Sequence, residues 1–380
     1  MRGIIIGAGI GGLSTAIAMQ KKNIDVRVFD SAPRLSSVGA GILIPPNAMT
    51  ILDRYGLSEQ LRASGISIDT LAILDPTGKV LSKASASFAN NGVEQRTVAI
   101  HRGMLQQILL DALSPGVVLT GKHCVQVNNN LDGVAAEFRD GTSETATFLV
   151  GADGIHSNVR ESINLNSPLR YSGQTCWRGV ASMTLPLPWR RQLTEVWGAG
   201  IRFGFVQIAD EQVYWFATQC ENAGGKDNAE SIKQELLEKY KNFFEPIPEI
   251  ISSTASTTIF RHDIYDLQPL KKWHVKSVIL IGDAAHAATP NLGQGGAQAI
   301  EDSWVLAQKI ADCQTPSDAF ERFQAVRYAK VKKIVDTSWQ LGKISNISNK
   351  TACKIRNTLL TAVPDFVTKQ QARVIYKVAY

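Results

Sequence analysis

The sequence predicts an α/β fold: a Rossmann-type dinucleotide-binding domain interleaved along the chain with an antiparallel β-sheet domain, followed by C-terminal helices. Three observations carry this. A strand–GxGxxG–helix–strand–acid unit opens the chain. Two later apolar runs each stop at a Gly/Asp pair, as strands do on reaching a ligand site. Between them lies a long stretch of β-type alternation rich in Trp, Tyr and Phe.

In the opening unit, "RGIIIGAGIGGLSTAIAMQKKNIDVRVFD", Ile4-Ile5-Ile6 is a short β-branched run, as in a strand buried on both faces. Gly7-x-Gly9-x-x-Gly12 follows at once, then apolar residues at helical spacing, then a second strand ending at Asp30. Gly7 permits a tight turn, Gly9 lets a pyrophosphate approach the backbone, and Gly12 allows close helix–strand packing. The helix N-terminus offers free N–H groups and a positive dipole end to phosphate. Asp30 stands 18 residues beyond Gly12, where an acid binds ribose hydroxyls. An acid there disfavours a 2′-phosphate, so the site suits FAD or NAD rather than NADP.

The second run, "FLVGADGIHSNVR", leads into Asp153-Gly154 and a helix start at Ser157. The third, "SVILIGDAAH", stops at Gly282-Asp283. After Pro290 come Gly293, Gly295 and Gly296, then the helical pattern "AQAIEDSWVLAQKIA".

Taken together and in this order, the three motifs resemble the single-component FAD-dependent aromatic hydroxylases and epoxidases. That group includes p-hydroxybenzoate hydroxylase, FAD-dependent urate hydroxylase, zeaxanthin epoxidase and the tetracycline-inactivating flavoenzymes. The resemblance spans about residues 1 to 340. It implies a p-hydroxybenzoate hydroxylase-like FAD-binding domain over 1–70, 98–170 and 272–340. A substrate domain would occupy 71–97 and 171–271, and a helical segment 341–380. It implies that Asp283 bonds a ribityl hydroxyl, Asp30 holds the adenosine ribose, and Arg102 lies near the ribityl–phosphate chain. Asp153 would support the meeting point of FAD and pyridine nucleotide, and Pro290 would flank the isoalloxazine ring. Gly293, Gly295 and Gly296 would bring a helix N-terminus against the pyrimidine edge, where reduced flavin is negative. The implied activity is monooxygenation: NADPH or NADH reduces FAD, O2 forms a C4a-hydroperoxyflavin, and an electron-rich aromatic or polycyclic small molecule is hydroxylated or epoxidised. No second strand–GxGxxG–helix unit is present for the nicotinamide nucleotide, which fits its transient use in this family. A flavin dehydrogenase or reductase without oxygen insertion is the alternative; the W-x-W-x-I-P motif of flavin halogenases is absent.

The aromatic-rich stretches "TCWRGVASMTL" and "LTEVWGAGIRFGFVQIADEQVYWFATQC" read as the wall of a substrate cavity, with strands from "SIDTLAILDPTGKVLSKAS" added. Arg202 and Tyr214 match the places of an Arg and a Tyr that contact substrate in urate hydroxylase; "CWRG" adds Arg178, where that enzyme differs. The loop Gly39–Ala48 would help set the cavity's shape. Trp177, Trp197 and Trp215 read as core. His286 reads as structural, for no nucleophile or metal partner is evident, and no metal site is expected.

Net charge is +6, and residues 343–380 carry all of it, with seven Lys/Arg against one Asp. The neutral body argues against a nucleic-acid partner. No apolar run reaches the roughly 18 residues of a membrane span. With a strand expected from Arg2, no leader is expected, and five scattered Cys without CxxC read as reduced thiols. A cytoplasmic protein, monomeric or weakly dimeric, is expected, with its C-terminal helices packed across both domains.

Overall fold

The computed structural model describes residues 1–35, 40–130 and 133–378. The Ile-rich run forms the Arg2–Ile6 strand, buried from Gly3 onward. It pairs in parallel with Asp25–Phe29 on one side and Phe148–Gly151 on the other. Val278–Leu280 extends the sheet in parallel beyond Phe148–Gly151, and Val118–Leu119 beyond Asp25–Phe29. A short antiparallel strand, His274–Val275, closes the six-stranded sheet. Helices Ile10–Lys21 and Gly295–Asp312 cross where small residues meet; a Cβ on Gly11 would lie 3.2 Å from that of Ala299.

The second large sheet has seven strands, in the order Phe260–Leu267, Leu169–Ser182, Gln212–Cys220, Ile201–Ala209, Gln192–Trp197, Thr70–Leu74 and Val80–Ser85. All neighbours are antiparallel except Gln192–Trp197 beside Thr70–Leu74. One face is covered by helices Ile232–Tyr240 and Ile247–Ser252 and holds Trp177 and Trp215 in the core. Both indole N–H groups are satisfied there, Trp177 donating to Asp227 (2.7 Å) and Trp215 to Thr254 (2.8 Å). Trp197 is also buried, on the opposite face, and donates to Glu195.

Two stretches of the chain run across the expected domain boundaries. Of segment 71–97, only the strands up to Ser85 join the large sheet. At Ala86 the chain changes sheets, donating to Asp69 O and accepting from Thr97. Ser87–Asn90 and Val93–His101 then pair in a smaller sheet that also includes Gly41–Ile44 and Ile66–Ile68. One unbroken helix runs Pro316–Ser345, across position 341, started by a Thr315 cap and the Pro at its first position. Shorter helices, Lys350–Thr361 and Asp365–Tyr376, follow and do reach across the molecule. Arg356 donates to the carbonyls of Trp197 and Gly198 in the large sheet, while Val378 N donates to Asn90 in the smaller one.

Beneath the second helix of the parallel-sheet unit lies a buried ionic network. Asp302 accepts from Gly282 N (3.0 Å), His286 Nε2 (2.7 Å) and Arg327 Nε (2.8 Å). Its neighbour Glu301 accepts from Asn47 Nδ2 (2.5 Å), Arg327 Nη1 (2.8 Å) and Lys330 Nζ (2.8 Å). Burial opposes ionisation of Asp302, but His286 and Arg327 outweigh it and hold the carboxyl at about 2.

Removing one partner of such a network strands the others. Arg327→Met should cost about 3–5 kcal/mol in chemical denaturation. Because Asp302 titrates lower folded than unfolded, its stabilisation is present above the ordinary carboxylate pKa near 3.9 and lost as pH falls toward 2. Asp302→Asn should flatten that acid limb of the stability–pH profile.

Candidate active site

Four neighbouring parallel strands end at one edge of the sheet, and each delivers one of the segments singled out in the sequence. Ile6 runs into Gly7, Phe29 into Asp30, Gly151 into Ala152-Asp153, and Leu280 into Ile281-Gly282-Asp283. Backbone bonds stitch them together: Gly7 N to Phe29 O, Ala152 N to Ile6 O, and Ile281 N to Gly151 O. This is the crevice at strand carboxyl ends where open α/β sheets bind ligands.

The glycine fingerprint is built for a close visitor. Gly7 has φ +103, and a Cβ there would strike the Ala152 carbonyl at 2.4 Å. At Gly12 a Cβ would sit 1.8 Å from Gly7 O, so this residue makes room for the turn itself rather than for the strand below. Gly9 meets nothing within 4 Å, which leaves its Cβ volume open to a phosphate. Asp30 braces the turn, accepting from Ala8 N (2.6 Å) and Ala32 N (2.8 Å).

Asp153 accepts from Ser157 Oγ (2.6 Å) and Val159 N (3.1 Å), capping its own loop. Burial raises its pKa, and those two bonds and Arg160 pull it back. Arg160 donates to the Ala284 carbonyl (3.0 Å), tying this loop to the Asp283 turn. His286 faces away into the Asp302 network, as a structural residue does.

Asp283 opens onto the cleft but lies deep among protein atoms. Desolvation pushes its carboxyl up, opposed by His286 and Arg102, so Arg102 shares its surroundings. Arg102 begins the helix Arg102–Asp111 and is anchored through its N–H to Ala40 O. Pro290 is exposed on the short turn Pro290–Leu292, and Gly293 follows with φ +61. Gly295 then starts its helix facing Asp283, whose Oδ1 would be 3.8 Å from an added Cβ. A Cβ on Gly296 would meet Ile42 at 3.4 Å and Ile10 at 3.7 Å, so strand Gly41–Ile44 and the fingerprint helix close round the same spot. Of the loop Gly39–Ala48, Gly39 lies outside the described residues.

Sequence reading missed Asn47 and Gln294. Both are buried at the head of this helix, Asn47 Nδ2 donating to Gln294 Oε1 (3.1 Å). Asn47 Oδ1 and Gln294 Nε2 have no hydrogen-bond partner. The available signal was two amides in otherwise apolar and glycine-rich surroundings.

The other face of the large sheet meets strand Gly41–Ile44, the Pro290 turn and the long helix. Register places Arg178 opposite Phe216, Val180 opposite Tyr214, and Arg202 opposite Thr218, so Arg178, Tyr214 and Arg202 share that face. Tyr214 abuts strand Gly41–Ile44 so closely that a Cβ on Gly41 would overlap it at 2.4 Å. Burial raises the Tyr214 phenol to about 12 despite the nearby Arg178, so it stays protonated at neutral pH. Arg178 is half-buried, and its Nε has no hydrogen-bond partner. Arg202 is different: it is 2% exposed, donating to Asn291 Oδ1 (2.7 Å) and Ser345 Oγ (3.2 Å), with Glu195 at 3.5 Å. It ties the sheet to the Pro290 turn and the long helix.

Open space at Gly9, an acid at the end of the second strand, a helix N-terminus facing Asp283, and orphaned amides beside it fit a flavin dinucleotide. The family model described as "FAD binding domain" matches residues 1–338. The chain belongs to that family. It is a member of the FAD-dependent monooxygenases, with FAD as cofactor. It is 38% identical to aurachin C monooxygenase/isomerase of Stigmatella aurantiaca, over 94% of this chain and 93% of the relative. It is 33% identical to 2-heptyl-3-hydroxy-4(1H)-quinolone synthase of Pseudomonas aeruginosa, over 95% and 94%. The fold matches Klebsiella pneumoniae HpxO complexed with FAD and uric acid, with a TM-score of 0.89 at 24% identity, covering 99% of this chain and 96% of that one.

Two variants separate binding from folding. Gly9→Val fills open space, so the apoprotein should melt unchanged while the visible flavin spectrum of the purified protein is lost. Asp283→Asn removes the carboxylate that faces the start of the Gly295 helix. It should leave the apoprotein melting temperature little changed and weaken FAD binding in a titration.

Proposed function

We propose that this chain is an NAD(P)H- and O2-dependent FAD monooxygenase that hydroxylates or epoxidises an electron-rich aromatic or polycyclic small molecule. The observation that carries the reading is the meeting of two surfaces: the dinucleotide crevice at the parallel strand ends, and the sheet face bearing Arg178 and Tyr214. When bound, FAD supplies hydride acceptance and oxygen activation.

The chain's own residues bind, orient and exclude water. Gly7, Gly9 and Gly12 cradle the pyrophosphate, Asp30 holds the adenosine ribose, Arg102 steadies the phosphate side, and Asp283 bonds the ribityl chain. Pro290, Gly293, Gly295 and Gly296 set the ring's edge against a helix N-terminus, whose dipole favours negative charge there. Gln294 Nε2 is a buried donor still in want of an acceptor at that edge. Asp153 keeps its loop in shape where the nicotinamide nucleotide would approach. In domain terms, 1–70, 98–170 and 272–340 serve the cofactor, and the large sheet serves the substrate.

On the substrate side, Arg178 orients a carbonyl or anionic oxygen. Tyr214, held as a phenol, donates to the same ring system. Arg202 acts through the Pro290 turn as a positioning residue. The ring we favour is a 4-quinolone lacking its 3-hydroxyl, supported by the name of the Pseudomonas aeruginosa relative. Carbon 3 of such a ring is the nucleophilic carbon of a vinylogous amide, suited to an electrophilic oxygen. Its carbonyl gives Arg178 a partner.

The test follows NADPH and NADH oxidation together with peroxide release, with and without 2-alkyl-4(1H)-quinolones, other fused heteroaromatics and urate. Oxidation that accelerates with a quinolone, with little peroxide and a product one oxygen heavier, is expected. Acceleration by none of them, or an unoxygenated product, would sink the reading. In the productive case Arg178→Ala should lower kcat/KM about tenfold to a hundredfold, the loss of a charge-assisted hydrogen bond.

A further inference from the structure

We propose that the two C-terminal helices form a docking face for an anionic phospholipid surface. The inference goes beyond the monooxygenase reading and does not depend on it. No described helix is long and apolar enough to cross a membrane, so the contact would be lateral.

Three observations converge on one short stretch. The first is apolar exposure. Ile355 is 59% exposed, Leu359 64% and Phe366 68%, and Val363 in the intervening turn is exposed as well. Ile355 and Leu359 are four apart and so form one stripe of helix Lys350–Thr361. Cys353 and Arg356, on the adjoining side of that helix, are buried and fasten it down. The apolar stripe therefore points away from the body.

The second observation is charge. The whole net charge of the protein, +6, lies within 343–380. Of its seven cations only Arg356 is buried; the other six are exposed. The third is geometry. Lys369 and Arg373 follow Phe366 at three and seven residues, so on helix Asp365–Tyr376 they share the exposed face that carries the phenyl ring, and Lys377 follows just past the helix end. Asp365 is the segment's single acid.

A solvated helix has no need of a Leu and a Phe standing in water beside a row of cations. An interfacial helix needs both: apolar groups to enter the headgroup boundary and Lys or Arg to meet anionic lipid. The anchoring fits as well. Arg356 holds one helix to the large sheet, and Val378 holds the end of the other to the smaller sheet, so docking asks for no unfolding.

The experiment is co-sedimentation of the full-length, FAD-loaded protein with vesicles. Phosphatidylcholine vesicles containing phosphatidylglycerol should bring the protein down at low salt and release it in molar salt, where screening is near complete. Pure phosphatidylcholine should bind far less. Lys369→Ala with Arg373→Ala should weaken binding about thirtyfold, at roughly fivefold per cation near an anionic leaflet. Phe366→Ser with Leu359→Ser should also release it, with the melting temperature, flavin spectrum and NADPH oxidation unchanged as folding controls. Folded protein that ignores anionic vesicles at low salt, or binds neutral ones equally, overturns the proposal. So does a homodimer that dissociates on Phe366→Ser while vesicle binding is nil, which would make a second copy the occupant.

Discussion

Two adjacent carboxylates, Glu301 and Asp302, sit with no solvent exposure in the helix that begins at the glycine turn. Leaving either unmatched would be costly, so everything around them is arranged to match them. Arg327 reaches both from the long helix, Gly282 N and His286 come from the Asp283 turn, and Asn47 comes from the helix after strand Gly41–Ile44. One charge cluster thereby joins the Asp283 turn to three helices. The position of Gly295 against Asp283 follows from it, and with it the site's electrostatics.

The rest of the site is a division of labour between rigid and open parts. Glycines at the strand ends do two unlike jobs: Gly7 and Gly12 are required by the chain's contact with itself, whereas Gly9 leaves room for something else. Polar groups divide similarly. Asp30, Asp153 and His286 are already engaged with protein partners, while Gln294, Asn47 and Arg178 each retain a buried atom without one. Such unmet groups cost stability in the empty protein and are the places where a ligand has most to offer.

Much of this could be read from residue order. The strand–GxGxxG–helix unit and the two strand-to-Gly/Asp stops are local patterns whose geometry depends on few neighbours, and the structure brings all three to one edge. His286 as a structural residue was legible because nothing nearby in sequence could use it chemically. Arg202 was not legible in the same way. Its spacing to Tyr214 is correct for a shared face, yet Asn291 and Ser345, far along the chain, make it a tether. The change of sheet at Ala86 was equally hidden, since alternation of period two is the same in either sheet.

Sequence alone determined the α/β class, the dinucleotide crevice, the family, and a charge imbalance confined to the tail. These follow from glycine's conformational freedom, strand and helix periodicity, and simple counting. Tertiary structure decided which arginine faces the cleft, which amides lie orphaned beside it, and that Leu359 and Phe366 stand in solvent while the tail's one buried cation clasps the sheet. The reason is physical: burial and partnership are set by contacts between residues tens to hundreds of positions apart, and no local pattern records them.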